Sequence, residues 1–286
     1  MSYATCPLIE LRNVSKSFAG IRALTGVSCT VNAGEVLCLL GDNGAGKSTL
    51  IKILSGLHQP SSGEVLLEGR PTRFSNPREA RNLGIATVHQ NTGTIPLMTV
   101  GRNFFLGAEP KKRFGPFSWF DRDTANQVAL DEIRSFGISR VRDGDQLVGT
   151  MSGGERQVLA IARAMYFGAK VLILDEPTSA LGVKEAAKVL ILIKQARERG
   201  VGVVFITHNA RHAMSVGDRF VVLIHGSVAA EFNRGERTGS EMLDLMAGGE
   251  QMSELEAQLT PEEFFQHRPG STSQAKARQP DVESDC

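Results

Sequence analysis

The sequence predicts an α/β fold whose core is a mainly parallel β-sheet. Short β-branched or apolar runs alternate along the chain with segments of helical period. Two of these runs, "VLCLL" and "VLIL", are apolar throughout, which is typical of strands buried on both faces. The first leads directly into the glycine-rich "GDNGAGKS", and the second ends in two acids. This alternation predicts helices on both faces of the sheet.

Nine runs carry the strand signal of apolar and β-branched residues, namely residues 8–14, 27–31, 35–40, 64–67, 85–88, 171–174, 201–206, 220–225 and 228–232. A helix is predicted directly after the glycine-rich turn, with Leu50, Leu54 and Leu57 on one face. A longer helix is predicted for "VKEAAKVLILIKQARERG", where Gly200 is a natural stop.

The segment at about 91–168 differs from the rest because it lacks a convincing strand. It has helical period in "DRDTANQVALDEIRSFGI", which predicts an inserted helical subdomain. Within it, "KKRFGPFSWF" places three cations beside aromatic rings. We favour aromatic packing with exposed charges over binding of single-stranded nucleic acid. We expect one ordered domain over residues 1–248 and a polar tail over 249–286 whose composition is that of disorder.

Composition and charge limit the classes of protein and of binding partner that the sequence fits. The 286 residues are 41% hydrophobic, enough for a real core, and 32 basic against 31 acidic residues give a net charge of +1. This balance does not favour nucleic acid or an anionic surface as a global partner. The tail from residue 250 holds eight acids and three bases, which indicates a solvated acidic segment.

Cysteine usage and the N-terminal sequence bear on the cellular compartment. Cys6, Cys29, Cys38 and Cys286 lack metal-ligand spacing and fit a reducing compartment. The first residues show no secretory signal pattern, and no apolar run approaches the roughly 18 residues that span a bilayer. We therefore expect any membrane role to be peripheral.

The clearest motif is "GDNGAGKS", which has two glycines five residues apart followed by Lys-Ser. Its backbone N–H groups would surround phosphate oxygens, Lys47 would reach the β- and γ-phosphates, and the Ser48 hydroxyl would bind Mg²⁺. The nucleotide-binding residues predicted from this loop are Gly41, Asp42, Asn43, Gly44, Ala45, Gly46, Lys47, Ser48 and Thr49. The loop alone does not choose among GTPases, kinases, helicases and transport ATPases.

Two further strand ends narrow the choice among these classes of nucleotide-binding protein. Parallel strands present ligand groups at their carboxyl ends, so Asp175 in "VLILDEP" is expected to hold the metal. Glu176 is placed to orient or deprotonate an attacking water. "VVFITH" ends in His208, whose imidazole can bind a γ-phosphate.

A second helix start also has the character of an anion site. In "GTMSGGERQ", Ser152, Gly153 and Gly154 precede an apolar pattern of helical period. The first N–H groups of a helix are unpaired and its dipole is positive there. A single nucleotide-binding domain would thus have two phosphate-binding helix starts.

The set "GDNGAGKST", "TVHQ", "MSGGERQ", "VLILDEPTSALG" and "VVFITH", in this order and spacing, resembles the ATP-binding cassette of ABC transporters over about residues 8–246. The resemblance implies a P-loop NTPase fold with an antiparallel β subdomain and an inserted helical subdomain. It also implies an ATPase coupled to transmembrane transport, with ATP and Mg²⁺ as cofactors.

The resemblance assigns roles to single residues. Gln90 would contact Mg²⁺ and the γ-phosphate, take part in catalysis, and signal to membrane subunits. Ser152, Gly153 and Gly154 would contact the γ-phosphate of an ATP bound to a second cassette, and residues 179–182 would cross the dimer interface. Phe18 aligns with the aromatic residue that stacks on adenine, and plain core packing is the alternative.

Three positions depart from the family pattern. Met151 replaces the commoner Leu, and Glu155 the commoner Gln. Gly182 stands where most cassettes have Asp, which removes a carboxylate from the loop that is expected to cross the interface.

The stretches "FSNPREARNLGIATVHQ" and "PLMTVGRNFFLGAEP" are similar to those of monosaccharide importers of the ribose and fructose type. This implies a second cassette, giving a homodimer, together with transmembrane permease subunits and a periplasmic or extracellular sugar-binding protein. The resemblance also implies the cytoplasmic face of the bacterial cell membrane as the location, with no nucleic acid as partner. For "KKRFGPFSWF", a third option besides aromatic packing and nucleic-acid binding is that it borders the groove that receives the permease.

Three other functions compete. A soluble cassette ATPase acting in DNA repair or translation generally has tandem cassettes or long insertions, which this sequence lacks. A GTPase would need an Asn-Lys-x-Asp motif, which does not occur. A purely structural module is hard to reconcile with Lys47, the acid pair and His208.

Overall fold

The structure is a computed structural model that describes residues 6–90, 92–138 and 140–246. The predicted tail over 249–286, including Cys286, lies outside the described residues. No helix of the described part is both long enough and apolar enough to cross a bilayer.

Twelve strands are present in the described residues: β1 Ile9–Phe18, β2 Ile21–Val31, β3 Val36–Leu40, β4 Ser62–Leu67, β5 Arg70–Pro71, β6 Ile85–Val88, β7 Lys111–Phe114, β8 Phe117–Phe120, β9 Val171–Asp175, β10 Gly202–Ile206, β11 Arg219–Ile224 and β12 Ser227–Asn233. The described helices are α1 Lys47–Leu54, α2 Pro77–Asn82, α3 Val100–Phe104, α4 Arg122–Ser135, α5 Gly153–Tyr166, α6 Val183–Glu198, α7 Ala210–Val216 and α8 Gly239–Met246. Val148–Thr150 form one 3-10 turn.

The central sheet has the order β12-β11-β3-β10-β9-β6 and is parallel except for the edge pair β11–β12. Strand β3 lies inside it, and all five of its residues are buried. Val36, Cys38 and Leu40 face the core shared with α5 and α6, whereas Leu37 and Leu39 face the core shared with α1. The prediction of a mainly parallel sheet covered on both faces is therefore confirmed.

A second sheet, of order β2-β1-β4-β5, is antiparallel throughout. It packs its apolar face, with Ile9, Leu11 and Val27, on the α1 side of the central sheet. Strand β3 is an inner strand of the central sheet, and α1 packs in the core between the two sheets. The loop that connects them therefore starts and ends on fixed elements.

The segment 92–168 contains α3, α4 and α5, as predicted, but the expectation that it lacks a strand is wrong. Strands β7 and β8 form an antiparallel hairpin there, a two-stranded sheet of its own. The sequence "KKRFGPFSWF" did not predict it because Lys111, Lys112, Arg113, Phe117 and Trp119 are all exposed and give no alternation of buried apolar and exposed polar residues. Only the turn residues Gly115 and Pro116 indicate a hairpin.

The favoured interpretation of this segment, aromatic packing, is also wrong for two rings. Phe117 and Trp119 each expose 67% of their surface, and only Phe120 packs against the core. Leu57 differs from prediction as well, because α1 ends at Leu54 and Leu57 is exposed. Predicted strand ends elsewhere shift where polar residues extend a strand beyond its apolar part, most clearly in β1 and β2.

One half-buried ion pair ties the two sheets together. Arg219 of β11 donates to Glu35 Oε1 at 2.7 Å and to the Thr30 carbonyl of β2 at 2.6 Å, and it contacts Glu231 of β12. Burial alone would raise the pKa of Glu35. The hydrogen bond and charge of Arg219, with the N–H groups of Asn32, hold that pKa below its usual value.

We expect Arg219→Met to lower the free energy of unfolding by about 3 kcal/mol at neutral pH, because it leaves the Glu35 charge buried without its cation. Since the folded-state pKa of Glu35 is depressed, its contribution is present above the unfolded-state pKa and lost as pH falls through the folded-state value. The difference in the free energy of unfolding between variant and wild type should therefore become smaller in acid. Urea unfolding at several pH values measures it, with Arg12→Met, at an exposed pair, as the control without effect. A stability difference that does not change with pH would contradict the role assigned to the Arg219–Glu35 ion pair.

Candidate functional site

The glycine-rich loop connects the end of β3 to the start of α1 at the carboxyl edge of the central sheet. Gly46 has φ +102°, and a Cβ there would lie 2.9 Å from the Ala23 carbonyl oxygen and 2.8 Å from Leu24 Cδ2. A larger residue would therefore push the loop off the second sheet. No side chain caps α1 at Gly46. The first N–H groups of this helix are thus free of a competing side chain, which suits an anion.

The side chain of Lys47 folds back over the glycine-rich loop. Its Nζ donates to the carbonyls of Gly41 at 2.6 Å and Asp42 at 2.9 Å. Burial lowers the pKa of Lys47, and the negative charges of Glu176, Asp42 and Asp175 oppose the shift. The ammonium group therefore lies within the electrostatic reach of the acid pair at the end of β9, which β10 separates from β3 in the sheet. Ser48 and Thr49 stand in the first turn of α1.

Glu176 directly follows β9 in a backbone conformation that side chains rarely adopt, with φ +48°. Its N–H donates to the Ile206 carbonyl at 3.0 Å, and its Oε1 lies 2.8 Å from His208 Nδ1. Thr207 Oγ1 approaches the other carboxylate oxygen at 3.5 Å. Left-handed conformations of non-glycine residues cost about 1–3 kcal/mol and cluster at functional sites. The strain here turns the carboxylate towards His208.

Asp175 is the last residue of β9, next to Glu176. Burial raises its pKa, although His89, whose Nδ1 lies 3.9 Å from Asp175 Oδ2, acts in the opposite direction. A carboxylate with a raised pKa is one whose charge lacks full compensation, which a bound cation would supply. The described residues hold no cluster of three or more His, Cys, Asp or Glu side chains suited to a metal.

Gln90 is joined to the acid pair through a serine. Its Nε2 donates to Ser179 Oγ at 3.2 Å, and Ser179 Oγ donates to the Glu176 carbonyl at 3.0 Å. The structure thus connects the segment after β6 to the segment after β9 without involving the glycine-rich loop. Sequence reasoning identified Gln90 but not this link, nor the contacts of His89 and Thr207. The only sequence signal for His89 and Thr207 is that they directly precede Gln90 and His208.

The second helix start lies at the N-terminus of α5. Ser152 Oγ accepts from the Glu155 N–H at 3.3 Å, and the Glu155 carboxylate accepts from the Ser152 N–H at 2.8 Å. These reciprocal bonds form a capping box. A Cβ at Gly154 would lie 2.9 Å from Glu185 Cβ, so only glycine lets α5 approach α6 this closely. Among the described residues, no hydrogen bond or ion pair joins this helix start to the glycine-rich loop.

Gly182 is the N-cap of α6 and provides no side-chain cap. A Cβ built on Gly182 would lie 2.9 Å from Glu185 Oε2. The carboxylate that the family pattern places at this position is absent, but Glu185 brings another carboxylate beside it.

Phe18 ends β1 with 40% of its surface exposed. Its ring meets the His58 ring edge-on at 5.2 Å, and Lys16 Nζ lies 5.2 Å from its centroid. The alternative of plain core packing does not describe this position. Stacking of this partly exposed ring on adenine stays a prediction.

A cleft of about 920 Å³ lies between the central sheet and the helices that follow β6. Its walls include His89 next to the acid pair, Gly107 and Ala108 after α3, and Arg163 of α5. Arg163 donates to the Leu106 carbonyl at 2.5 Å, while its Nε and the Thr87 hydroxyl are buried without a partner. The cleft therefore adjoins the predicted catalytic centre through His89.

A mainly parallel sheet with a lysine-bearing glycine-rich loop after one strand and an acid pair at the end of another defines a nucleotide-binding protein of the P-loop class. Residues 24–179 match the family model described as ABC transporter. The chain belongs to the ABC transporter family, as a nucleotide-binding ATPase. The fold class and the family resemblance predicted from the sequence are confirmed.

Curated relatives include a xylose/arabinose import ATP-binding protein of Sulfolobus acidocaldarius, 42% identical over 84% of this chain and 93% of the relative. A fructose import ATP-binding protein of Rhizobium meliloti is 40% identical over 86% of this chain and 95% of the relative. A ribose import ATP-binding protein of Rubrobacter xylanophilus is 42% identical over 80% of this chain but only 46% of the relative.

Solved structures show the same fold. An ATP-binding cassette of an ABC transporter in its ADP conformation matches with a TM-score of 0.71 and 24% identity, covering 86% of this chain and 97% of that one. A dimeric, post-hydrolysis cassette bound to ADP and phosphate matches with a TM-score of 0.67 and 28% identity. It covers 80% of this chain and all of the solved one.

Proposed function

We propose that this chain hydrolyses ATP to drive the import of a monosaccharide. The observation that carries the proposal is the pairing of Glu176 with His208 at 2.8 Å, beside a phosphate-loop lysine whose charge faces the same acids. A carboxylate held by an imidazole can orient a water and accept its proton. Lys47 would leave its carbonyl partners for the β- and γ-phosphates, and His208 would bind the γ-phosphate.

The donor groups fit Mg²⁺. The Ser48 hydroxyl, the Asp175 carboxylate and the Gln90 amide oxygen are hard oxygen ligands, and Mg²⁺ in nucleotide sites takes few protein ligands besides phosphate oxygens and waters. When bound, the cation would neutralise charge on the transferred phosphoryl group. Its charge would also counteract the effect of burial, which raises the pKa of Asp175.

We further propose that two copies of the chain act together. Ser152, Gly153 and Gly154 have no bond to the loop of their own chain, which fits a role on the nucleotide of a second cassette. Solved relatives of the fold include dimeric cassettes. The cleft beside His89 is the concave surface that we assign to the permease, and Gln90, which directly follows His89, would report nucleotide binding to it. In this arrangement the chain would lie on the cytoplasmic face of the membrane.

The sugar class rests on the relatives, whose names specify import of xylose or arabinose, fructose and ribose. Deleting the gene from its native cell should abolish uptake of at least one of radiolabelled ribose, fructose and xylose. Wild-type protein should restore that uptake, and Lys47→Ala should not. Uptake of all three sugars at the wild-type rate would contradict the proposal. Sensitivity to DNA damage or to stalled translation in the same cells would favour the non-transport alternative.

A further inference from the structure

The β7–β8 hairpin is not used by the proposed catalytic mechanism. In its register Lys112 lies opposite Trp119, and Phe117 is two residues from Trp119 on the same strand. Cross-strand partners and residues two apart share a face of a hairpin. One face therefore presents Phe117, Trp119 and Lys112 together, and both rings are 67% exposed.

The opposite face attaches the hairpin to the protein. Phe120 packs against the core, and the Arg102 guanidinium lies 5.1 Å from its ring centroid. The Asp121 N–H donates to the Pro110 carbonyl at 2.9 Å and closes the base of the hairpin. Lys111 and Arg113 are nevertheless exposed, so the hairpin is a projecting ridge rather than a wall of a groove.

The charge of the ridge is of one sign. Residues 111–120 contain three cations and no acid, within a chain whose net charge is only +1. Glu109, which accepts from the Gly107 N–H at 2.8 Å, and Asp121, which accepts from Thr124 at the start of α4, flank the ridge. Their charges act on Lys111 and Lys112 respectively, so three cations against two acids leave the hairpin and its flanks with a positive charge.

We propose that the β7–β8 hairpin binds the anionic headgroup surface of the lipid bilayer. Trp and Phe beside Lys and Arg are the residues that favour the boundary between water and acyl chains, with cations attracted to anionic lipid. The inference rests on the proposed function for its orientation. Gly107 and Ala108 line the cleft assigned to the permease, and the hairpin begins three residues after Ala108. A ridge at the rim of that cleft is placed to meet the membrane around the permease.

Two other occupants fit less well. Single-stranded nucleic acid is usually held in a basic groove with stacking platforms, whereas the exposed rings and cations here lie on a projecting hairpin. A protein partner would need a pocket complementary to two projecting rings and three charges. A lipid surface needs no such complement, because its headgroups can arrange around a convex ridge.

The test is sedimentation of the full-length chain with vesicles. Vesicles of phosphatidylcholine alone are compared with vesicles in which about a third of the lipid is phosphatidylglycerol. We expect binding to the anionic vesicles only. Lys111→Gln/Lys112→Gln/Arg113→Gln should weaken partitioning roughly fivefold for each removed cation. Phe117→Ser/Trp119→Ser should weaken it by about tenfold or more.

The chain offers matched controls on α6. Lys184, Lys188 and Lys194 are exposed there, so the triple Gln variant at these positions removes the same charge. Ile191, which is 55% exposed, provides the apolar control as Ile191→Ser. Unchanged ATPase activity verifies that each variant is folded.

Absence of vesicle binding, or equal losses in the hairpin and α6 variants, would overturn the proposal. Hairpin-dependent binding of a labelled single-stranded oligonucleotide without vesicle binding would also overturn it. Sugar uptake and ATP hydrolysis are measured separately, so failure here is distinguishable from failure of the proposed function.

Discussion

Replacing Glu176 by glutamine should lower the turnover number for ATP by about 10²–10⁴-fold while ATP binding stays within about twofold of wild type. Glutamine keeps the size of the side chain and its contact with His208, but it cannot accept the proton of an attacking water. The loss should therefore appear in kcat and not in nucleotide affinity. Phosphate release measures the first quantity, and equilibrium titration with a fluorescent ATP analogue measures the second.

The matched control is Glu198→Gln at the exposed end of α6, which should leave both quantities unchanged. Because binding persists without hydrolysis, we also expect the Glu176→Gln protein to accumulate as a dimer in ATP, visible by size-exclusion chromatography. Normal turnover by this variant would remove Glu176 from its proposed role. Loss of ATP binding would instead indicate that the substitution disturbs the glycine-rich loop.

The sequence predicted the site where chemistry and strand order coincide. Lys47 follows a buried strand through a loop that few protein classes use, and Asp175 and His208 follow strands that are apolar almost throughout. Parallel pairing places such strand ends at one edge of the sheet. The meeting of these residues could therefore be predicted without knowing any contact.

What the sequence missed depends on backbone geometry and surface contacts. The positive φ of Glu176 is imposed by its hydrogen bond to Ile206, which is distant in sequence. Aromatic packing was favoured for "KKRFGPFSWF" because large apolar side chains usually are buried, and that general preference fails for Phe117 and Trp119. The link from Gln90 to Glu176 runs through the Ser179 hydroxyl, a residue type whose pairing has no sequence period.

Ser152 raises a sharper question, because its hydroxyl has a structural role as the cap of α5 in addition to the predicted contact with ATP. Ser152→Asp separates the two roles. Aspartate caps helices about as well as serine, so the free energy of unfolding should stay within about 0.5 kcal/mol of wild type. If the γ-phosphate of a partner's ATP meets this residue, the added negative charge should lower ATP hydrolysis by about a hundredfold. Ser152→Asn, a neutral cap, is the matched control and should lose far less activity.

A mixture of Lys47→Ala and Ser152→Asp chains then tests whether Ser152 contacts the ATP of the partner chain. Lys47→Ala damages the site on its own chain, whereas Ser152→Asp damages the site on its partner. A dimer of one Lys47→Ala chain and one Ser152→Asp chain therefore holds one intact site and one doubly damaged site. With random exchange half of the dimers are mixed, so the mixture should recover about a quarter of wild-type ATPase activity if one intact site suffices. If Ser152 served the nucleotide of its own chain, both sites of a mixed dimer would be damaged and no activity would return. The assay thus distinguishes the two arrangements by the appearance of activity, which misfolding of either variant could not imitate.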